Sequence, residues 1–298
     1  MGTSGVETDT AELGAYLRVH RDRLRPGEYG LSDDRRRRVS GLRRQEIALL
    51  AGISPDYYLR LEQGKDRRPS AQVLDALARA FRLDADGRDY LFRLGGHATP
   101  RTPSSRGGGG AGPDSTQIGS LTSMVSSWTT TPAYVVDRNH DLVAVNELGR
   151  LFLPFPCSPG TNMIEAVVRS AARETDPCLL AAWDRTTAAM TVALRFHADP
   201  ADPRLRLLVA SLSAQSRAFR HVWATHEAHP LREGSAPVRI DPFGFITFQW
   251  QTLEVHGGDH FLTSFFGPPG STAAAAVEFV RARHRVEESL REGAILDA

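Results

Sequence analysis

One segment limits the possible folds of this chain more than any other: residues 42–64, with the sequence LRRQEIALLAGISPDYYLRLEQG. It predicts two short helices joined by a tight turn at Gly52, because glycine readily adopts the positive φ that such a turn requires. Ser54 is a favourable N-cap for the second helix, and Pro55 fits its first position, where the backbone N–H has no helical partner. This pattern is typical of a helix-turn-helix, whose second helix enters the DNA major groove.

Apolar spacing around the motif predicts a compact all-α domain of five helices over residues 1–98. Helical periodicity indicates the other three helices over residues 10–24, 70–81 and 84–94. Within the motif, Ala48 is small enough for two helix backbones to cross closely. The remaining apolar contacts of the motif are predicted from Ile47, Ala51, Ile53, Tyr58 and Leu61.

Charge is unevenly distributed along the chain. The whole sequence of 298 residues carries a formal net charge of only +1, whereas residues 35–68 hold ten basic and four acidic side chains. A local charge of +6 on an otherwise slightly acidic protein is the electrostatic signature of a polyanion partner. Together with the helix-turn-helix pattern, it predicts binding to double-stranded DNA.

A change in composition separates this domain from the rest of the chain. Residues 99–116 contain no large apolar side chain, which predicts a flexible linker. Beyond it, strands are predicted at residues 133–137, 142–145, 238–240, 245–253 and 261–266, with helices between the second and third of them. We therefore expect an α+β domain with a small antiparallel sheet over residues 117–270, followed by a C-terminal helix in residues 271–298.

Composition also excludes several classes of protein. The hydrophobic content of 41% and the charged content of 24% are ordinary for a soluble globular protein. No apolar run approaches the roughly 20 residues of a membrane-spanning helix, and the N-terminus lacks the apolar centre of a signal peptide. Two cysteines, Cys157 and Cys178, do not make a disulfide framework. These observations predict a cytoplasmic protein that has no membrane partner.

Two sets of residues resemble a known family. The first is GLRRQEIALLAGISPDYYLRLEQGK at residues 41–65 followed by RRPS at residues 67–70, which is similar to the MmyB-like subfamily of XRE-class helix-turn-helix regulators. The second half resembles the C-terminal ligand-binding domain of that subfamily. Its matching pieces are TPAYVVD at 131–137, VN at 145–146, Trp183 with VALR at 192–195, SRAFRHVW at 216–223 and FGFITFQW at 243–250.

The resemblance implies a multidomain transcriptional regulator, with a DNA-binding helix-turn-helix domain and a C-terminal α+β domain that has a PAS-like sheet. It also implies a small apolar or fatty-acid-like ligand for the second domain. Residues 226–229 and the long tail beyond residue 270 depart from the family pattern. We expect no cofactor, and we expect a homodimer on a pseudo-palindromic operator with half-sites about one helical turn apart.

The candidates for reading bases lie at the start of the second motif helix and on its outward face: Ser54, Pro55, Asp56, Tyr57 and Arg60. Arg60 has the donors to recognise guanine and Asp56 can accept from cytosine N4, while Ser54 and the helix N-terminus can hold a phosphate. A simpler alternative for Asp56 is that it stabilises the helix dipole. For Arg60 the alternatives are a solvated face or a pair with Asp56.

Other basic side chains are predicted to contact phosphates. Arg43 and Arg44 open the first motif helix, where positive charge opposes the helix dipole, so a phosphate would offset an unfavourable placement. The basic residues just past the second helix are Lys65, Arg67 and Arg68. The arginine run at residues 35–38 indicates further electrostatic anchoring, with a solvated charge run as the alternative.

Aromatic side chains of the second domain are the candidate ligand-binding residues: Tyr134, Phe152, Phe219, Trp223 and Phe248. The alternative for each is a place in the hydrophobic core. If the whole set is core, the second domain is instead a protein-interaction or dimerisation module without a small-molecule ligand, which an exposed apolar patch would indicate.

The histidines near residue 226 do not have the spacing of a metal site. The cluster consists of His221, His226 and His229 with Glu227, and it matches neither a zinc finger nor a pair one helical turn apart on one face. No phosphate-binding glycine loop and no nucleophile motif is recognisable either. We therefore expect no metal and no enzymatic activity, although a fused enzyme remains a third class for the second domain.

Overall fold

A computed structural model describes residues 3–31, 39–66, 68–97, 115–257 and 259–296. These residues fall into two compact units. The first unit takes in the described residues within Met1–Pro103 together with Thr191–Pro230, and the second takes in those within Ser104–Met190 and Leu231–Ala298. The arginine run at 35–38, Arg67 and most of the predicted linker lie outside the described residues.

The N-terminal part of the first unit is all-α and confirms the five predicted helices. They are α1 (Thr3–Arg23), α2 (Arg44–Ala51), α3 (Pro55–Glu62), α4 (Ala71–Phe81) and α5 (Ala85–Leu94), with a short 3₁₀ turn at Pro26–Tyr29. We call these five helices the head. The first helix begins earlier than the predicted residue 10, and the others begin and end within two residues of their expected positions.

Side-chain caps explain where three of these helices begin. The hydroxyl oxygen of Ser54 accepts from the backbone N–H of Tyr57 at 3.2 Å, and Ser70 caps α4 in the same way. At α5 the carboxylate of Asp84 accepts from the N–H of Gly87 at 2.8 Å. Each bond satisfies a backbone donor that has no partner within its helix, so the sequence itself fixes these starts.

One apolar core holds the head together. Its largest fully buried side chains include Tyr16, Tyr58, Leu13, Leu17, Ile47, Leu61, Leu74 and Leu77. Helices α1 and α3 approach closely because residue 14 is glycine: a Cβ there would lie 2.4 Å from the carbonyl oxygen of Glu62. The core therefore fixes α3 against α1.

Three further helices are α9 (Pro177–His197), α10 (Pro203–Gln215) and α11 (Arg217–Ala224). Residues from Thr191 onward, to Pro230, belong to the first unit, whereas the earlier residues of α9 belong to the second. Asp202 caps α10 through the N–H of Arg204, and Ser216 caps α11 through the N–H of Phe219. The contiguous domain limits expected from the sequence stay a prediction.

The second unit is built on an antiparallel sheet whose five described strands follow the order β2-β1-β5-β4-β3. The strands are β1 (Ala133–Asp137), β2 (Leu142–Val145), β3 (Glu233–Ile240), β4 (Gly244–Glu254) and β5 (His260–Phe266). The predicted α+β class is confirmed. Strand β3 is longer than expected because it runs through Pro237, which an edge strand tolerates since it need not donate to a second neighbour.

Helices cover both faces of this sheet. On one face, Leu121 and Val125 of α6 (Ser115–Ser126) pack against Val135 and Leu262. The other face carries Phe248 and is covered at the β3–β4 end by α7 (Glu147–Phe152) and α12 (Thr272–Leu296). Helix α8 (Met163–Ala171) begins at Asn162, whose side chain accepts from two backbone N–H groups.

Within the described residues, no helix combines the length and apolar character that crossing a bilayer requires. Helix α6 is absent from the sequence-based expectations, and it begins at Ser115, inside the segment predicted as linker. Its Ser, Thr and Gly content gives it a low helical propensity, so its contacts with the sheet are what stabilise it.

Candidate nucleic-acid interface

The turn between α2 and α3 has the predicted helix-turn-helix geometry. Gly52 adopts φ 65°, and its N–H donates to the carbonyl of Leu49 at 3.1 Å, while the N–H of Ile53 donates to that of Ala48 at 3.0 Å. A Cβ at position 52 would meet nothing within 4 Å, so the positive φ rather than lack of space favours glycine there. The turn thus orients α3 relative to α2.

Helix α3 divides into a buried and an exposed face. Tyr58 and Leu61 are fully buried in the head, whereas Asp56 and Arg60 are exposed and Tyr57 is half-buried. The Arg60 guanidinium carbon lies 5.4 Å from the centre of the Tyr57 ring. In the part of the chain that the structure describes, no ion pair joins Arg60 to Asp56, and the exposed side chain of Arg60 leaves both base recognition and a solvated face open.

The start of α2 holds Arg43 and Arg44 in different environments. Arg43 is exposed, and its backbone N–H donates to the carboxylate of Glu46 at 2.6 Å, which caps the helix. Arg44 is half exposed, and its Nε donates to Oε2 of Glu62 at 2.6 Å. Glu62 therefore offsets the positive charge that the sequence left facing the helix dipole, and a phosphate contact by either arginine stays a prediction.

Glu62 is the residue of this surface that sequence reasoning missed. Its carboxylate has no exposed surface and accepts from Arg44 on one oxygen and from Nε of Arg21, at 2.6 Å, on the other. Burial alone would raise the pKa of Glu62, but the hydrogen bonds from Arg21 and Arg44 outweigh it, so the pKa lies below its ordinary value. The signal was available, since Tyr58, Leu61 and Glu62 share one helical face.

The basic residues after α3 are only partly described. Lys65 and Arg68 are exposed, and the backbone N–H of Lys65 donates to the carbonyl of Arg60, which ends the helix. Arg67 and the run at residues 35–38 lie outside the described residues. The described arginines and lysine thus border the exposed face of α3, as a surface that binds a polyanion requires.

Three of the five predicted ligand residues lie in the second unit. Tyr134 of β1, Phe152 of α7 and Phe248 of β4 are all buried, and the rings of Phe152 and Phe248 meet edge-to-face at 5.1 Å. Asn146 positions α7 through a buried amide whose Oδ1 accepts from the N–H of Gly149 at 2.7 Å. Phe152 and Phe248 share one apolar cluster with α12, which is the arrangement expected of core residues.

A row of hydroxyl groups lies on the same sheet face. Tyr134 is paired across the strands with Thr263, and Thr263 with Thr252. The two threonine hydroxyl oxygens are 2.8 Å apart. Burial raises the pKa of Tyr134, and a hydrogen bond with Thr263 opposes that rise. This face therefore combines aromatic surface with hydrogen-bonding groups.

The other two predicted ligand residues lie in the first unit. Phe219 is fully buried on α11, and Trp223 stacks on it with ring centres 5.6 Å apart. The Trp223 ring also lies 3.8 Å from the guanidinium carbon of Arg195. The five aromatic residues are therefore divided between the two units rather than gathered within one.

Side chains of the histidine cluster lie beside charged groups of α1. His226 has Nδ1 3.6 Å from a carboxylate oxygen of Glu12, and Glu227 accepts from Arg23 at 3.0 Å. Burial, followed by the charges of Arg195 and Arg23, lowers the pKa of His226 to about 4. Among the described residues, no group of three potential ligands is placed to hold a metal ion.

Sequence comparisons match the N-terminal and C-terminal parts of the chain to two different families. A helix-turn-helix domain family matches residues 12–91, which contain the motif and most of the head. The MmyB-like transcription regulator ligand binding domain matches residues 119–279, more than half of the chain. Both are families of regulators rather than of enzymes. No curated protein matches the chain.

Proposed function

The chain belongs to the MmyB-like transcription regulators and is a DNA-binding transcriptional regulator, and from this premise we propose how it binds. Helix α3 enters the major groove with its exposed face, where Asp56 and Arg60 meet base edges. The observation that carries this proposal is the amphipathic division of α3, with Tyr58 and Leu61 buried and Arg60 exposed.

Glu62 is a positioning residue in this proposal. It holds the guanidinium of Arg44 through Nε, which leaves the two Nη groups of that side chain to donate to a phosphate. Arg43 supplies a second, more mobile contact because its side chain is exposed. Lys65 and Arg68 extend the positive surface past the end of α3. The resulting contacts fix the register of the head on the duplex, while Arg60 supplies sequence preference.

The proposed assembly is a homodimer on a pseudo-palindromic operator. One head offers a single exposed helix face to the groove, and a two-fold pair of heads would read two half-sites about one turn apart. In vitro selection with the full chain, followed by scrambling one half-site, tests this. We expect selected sequences with inverted half-sites, and a dimer on them by sedimentation. Selection of a single asymmetric site bound by a monomer would overturn it.

We further propose that the second unit senses a small apolar or acyl-type molecule. The sheet face that carries Tyr134 and Phe248, with Phe152 of α7 packed against it, supports this, because its aromatic side chains suit an acyl chain and its hydroxyl groups suit a polar head group. Native mass spectrometry of the full chain with saturated fatty acids of graded length tests it. A mass shift for some lengths supports the proposal, and no shift for any length contradicts it.

One observation favours an interaction module as a second candidate for this unit. Phe243 and Phe279 are each more than a third exposed and meet edge-to-face with ring centres 5.4 Å apart, and Phe245 is more than half exposed nearby in sequence. Exposed aromatic surface of this kind is typical of protein contacts. If no fatty acid binds, and Phe279→Ser abolishes self-association of the full chain, this second candidate replaces ligand sensing.

A further inference from the structure

Residues of the ligand-binding family segment pack within the same compact unit as the DNA-binding head. The segment Thr191–Pro230, which we call the docking segment, lies inside the match at residues 119–279, yet it is grouped with the head by its contacts. Residues 177–190 of the same helix, α9, belong to the other unit. The docking segment is therefore a part of the ligand-binding family region that packs in one unit with the head.

Arg195 makes the central contact of the docking segment. Its side chain is only 3% exposed, and Nη1 donates to the carboxylate of Glu12 on α1 at 2.9 Å. Nη2 donates to the backbone carbonyl of Trp223 at 2.7 Å, and the Trp223 ring lies against the guanidinium. One buried side chain thus joins α9, α11 and the first helix of the head.

A stacked group of side chains extends this contact to α5. Phe196, next to Arg195, stacks on Tyr90 with ring centres 6.2 Å apart, and the guanidinium of Arg93 lies 4.6 Å from the Phe196 ring. Phe196 is buried in the same apolar cluster as the core of the head. At the exposed edge, Arg23 of α1 donates to Glu227 at 3.0 Å. The docking segment thus contacts defined positions along both α1 and α5.

The Arg195–Glu12 ion pair adds little to the free energy that keeps this contact closed, whereas burial of Phe196 favours the closed contact. A buried ion pair adds little net stability, because both charges regain hydration when the pair is exposed, but removing one partner leaves an uncompensated buried charge. An Arg195–Glu12 pair therefore fixes where the docking segment binds without holding it there strongly. Such a pair suits a contact that has to open and close rather than a permanent core.

Helix α1 also contacts α3, the helix proposed to enter the major groove. Nine residues after Glu12, Arg21 donates to the buried carboxylate of Glu62 at the end of α3, and the same carboxylate holds Arg44. Because α1 is one continuous helix, a change in how Glu12 is held acts on the element that carries Arg21. The docking segment and the DNA-facing side chains thus bear on the same helix.

We propose that the docking segment is the contact through which the ligand-binding region controls the DNA-binding head, with Arg195 as its positioning residue. The contact has a docked and an open arrangement, and the two hold α1, and with it the end of α3, differently. A ligand that favours one arrangement shifts DNA affinity by its differential affinity for the two. This inference rests on the proposed function, since only a chain that binds both partners can couple them.

The test compares Arg195→Met in the full chain with Arg206→Met. Arg206 lies exposed on α10 of the same segment, and its guanidinium donates to the carbonyl of Ala201 at 3.1 Å, so it is a matched control. Hydrogen exchange is followed in α11 and in the head, and affinity is measured for the operator selected above. We expect Arg195→Met to speed exchange in α11 by about tenfold. We also expect it to change the dissociation constant by about fivefold or more, with Arg206→Met without effect.

Glu12→Gln guards against a variant that fails to fold, because Glu12 is partly exposed and its loss is milder. It should reproduce both effects of Arg195→Met at smaller size. The inference is overturned if α11 in the unmodified chain exchanges as slowly as the core of α3 and α4, or if a variant that speeds exchange in α11 leaves operator affinity unchanged. Absence of any selectable operator would instead refute the DNA-binding proposal, while the exchange result would still decide whether the docking segment opens.

Discussion

Arg44 and Glu62 are joined by a hydrogen bond of 2.6 Å from Nε to Oε2, although one side chain is half exposed and the other has no exposed surface. A half-exposed arginine at the start of α2 is therefore held by a carboxylate that water does not reach. Because Arg21 occupies the second oxygen of Glu62, the orientation of Arg44 depends on α1 as well as on α3. The orientation of this exposed arginine is consequently set by a carboxylate buried in the core of the head.

The first prediction concerns Glu62→Gln. An amide places one donor where a carboxylate offered an acceptor, so one arginine loses its partner and the buried charge of Arg21 is left with the half-exposed carboxylate of Asp22. We expect the free energy of unfolding of the head to fall by about 3 kcal/mol or more, measured by urea denaturation. Glu28→Gln, an exposed acid on the 3₁₀ turn, is the control. Equal stability of the two variants would contradict a structural role for Glu62.

The second prediction concerns Arg60→Ala. Removing a guanidinium that donates to a base should cost about 1–3 kcal/mol in operator binding and relax preference at one base position. In vitro selection with the variant, followed by affinity measurement on the original operator, checks both parts. Arg79→Ala, which changes an exposed arginine on α4, should leave the selected sequence unaltered. An unchanged site for Arg60→Ala would show that Arg60 lies outside the groove.

The third prediction separates the two arginines of α2. Arg43→Ala should weaken binding to all duplexes and reduce the slope of log affinity against log salt by about one unit. The variant should unfold at the same urea concentration as the unmodified chain, because the Arg43 side chain is exposed. Arg44→Ala should also lower stability, since it removes one of the two arginines that pair with Glu62. Identical salt slopes for Arg43→Ala and the unmodified chain would exclude a phosphate contact.

Local chemistry made much of the head predictable from sequence. Gly52, Ser54 and Pro55 act through backbone conformation and capping, which depend on neighbours within a few residues. The same holds for Ser70, which begins α4 as expected. The roles of such residues can be predicted from short segments of sequence, and the helices begin where these residues predict.

The features that the sequence did not predict depend on distant partners. Helix α6 has a weak local propensity and is stabilised by the sheet against which Leu121 packs. Glu62 shares a helical face with Tyr58 and Leu61, but its partner Arg21, whose guanidinium compensates its buried charge, lies forty-one residues away in sequence. Likewise Phe219 and Trp223, predicted with Tyr134 as one ligand site, lie in the other compact unit. Partners across the fold, rather than sequence neighbours, decide these cases.

The fourth prediction distinguishes two phenylalanines of β4. Phe248 is fully buried against Phe152 and α12, whereas Phe245, three residues earlier, is 53% exposed. Phe248→Ala should lower the free energy of unfolding of the second unit by about 3–5 kcal/mol, because it leaves a cavity. Phe245→Ala should change it far less. Similar losses for both variants, measured by urea denaturation, would show that the two rings share one environment.

Two partly buried histidines of the first unit predict how its stability depends on pH. Burial, followed by the charge of Arg23, lowers the pKa of His20 to about 4, and burial with Arg195 lowers that of His226 similarly. The ordinary value near 6.5 returns when either side chain is exposed. The folded unit therefore disfavours protons that the unfolded chain accepts, so stability is fully present above about pH 6.5 and falls as the pH approaches 4.

The fifth prediction is that His226→Gln flattens this decline. Across pH 7 to 5 the unmodified full chain should lose free energy of unfolding in urea, and the variant should lose less because one group that takes up a proton on unfolding is gone. His221→Gln is the control, since His221 belongs to the same docking segment and its side chain is exposed. A pH profile for His226→Gln that follows that of the control would mean that His226 is already exposed in the folded chain. The neighbouring contact between Arg195 and Glu12 would then be exposed as well.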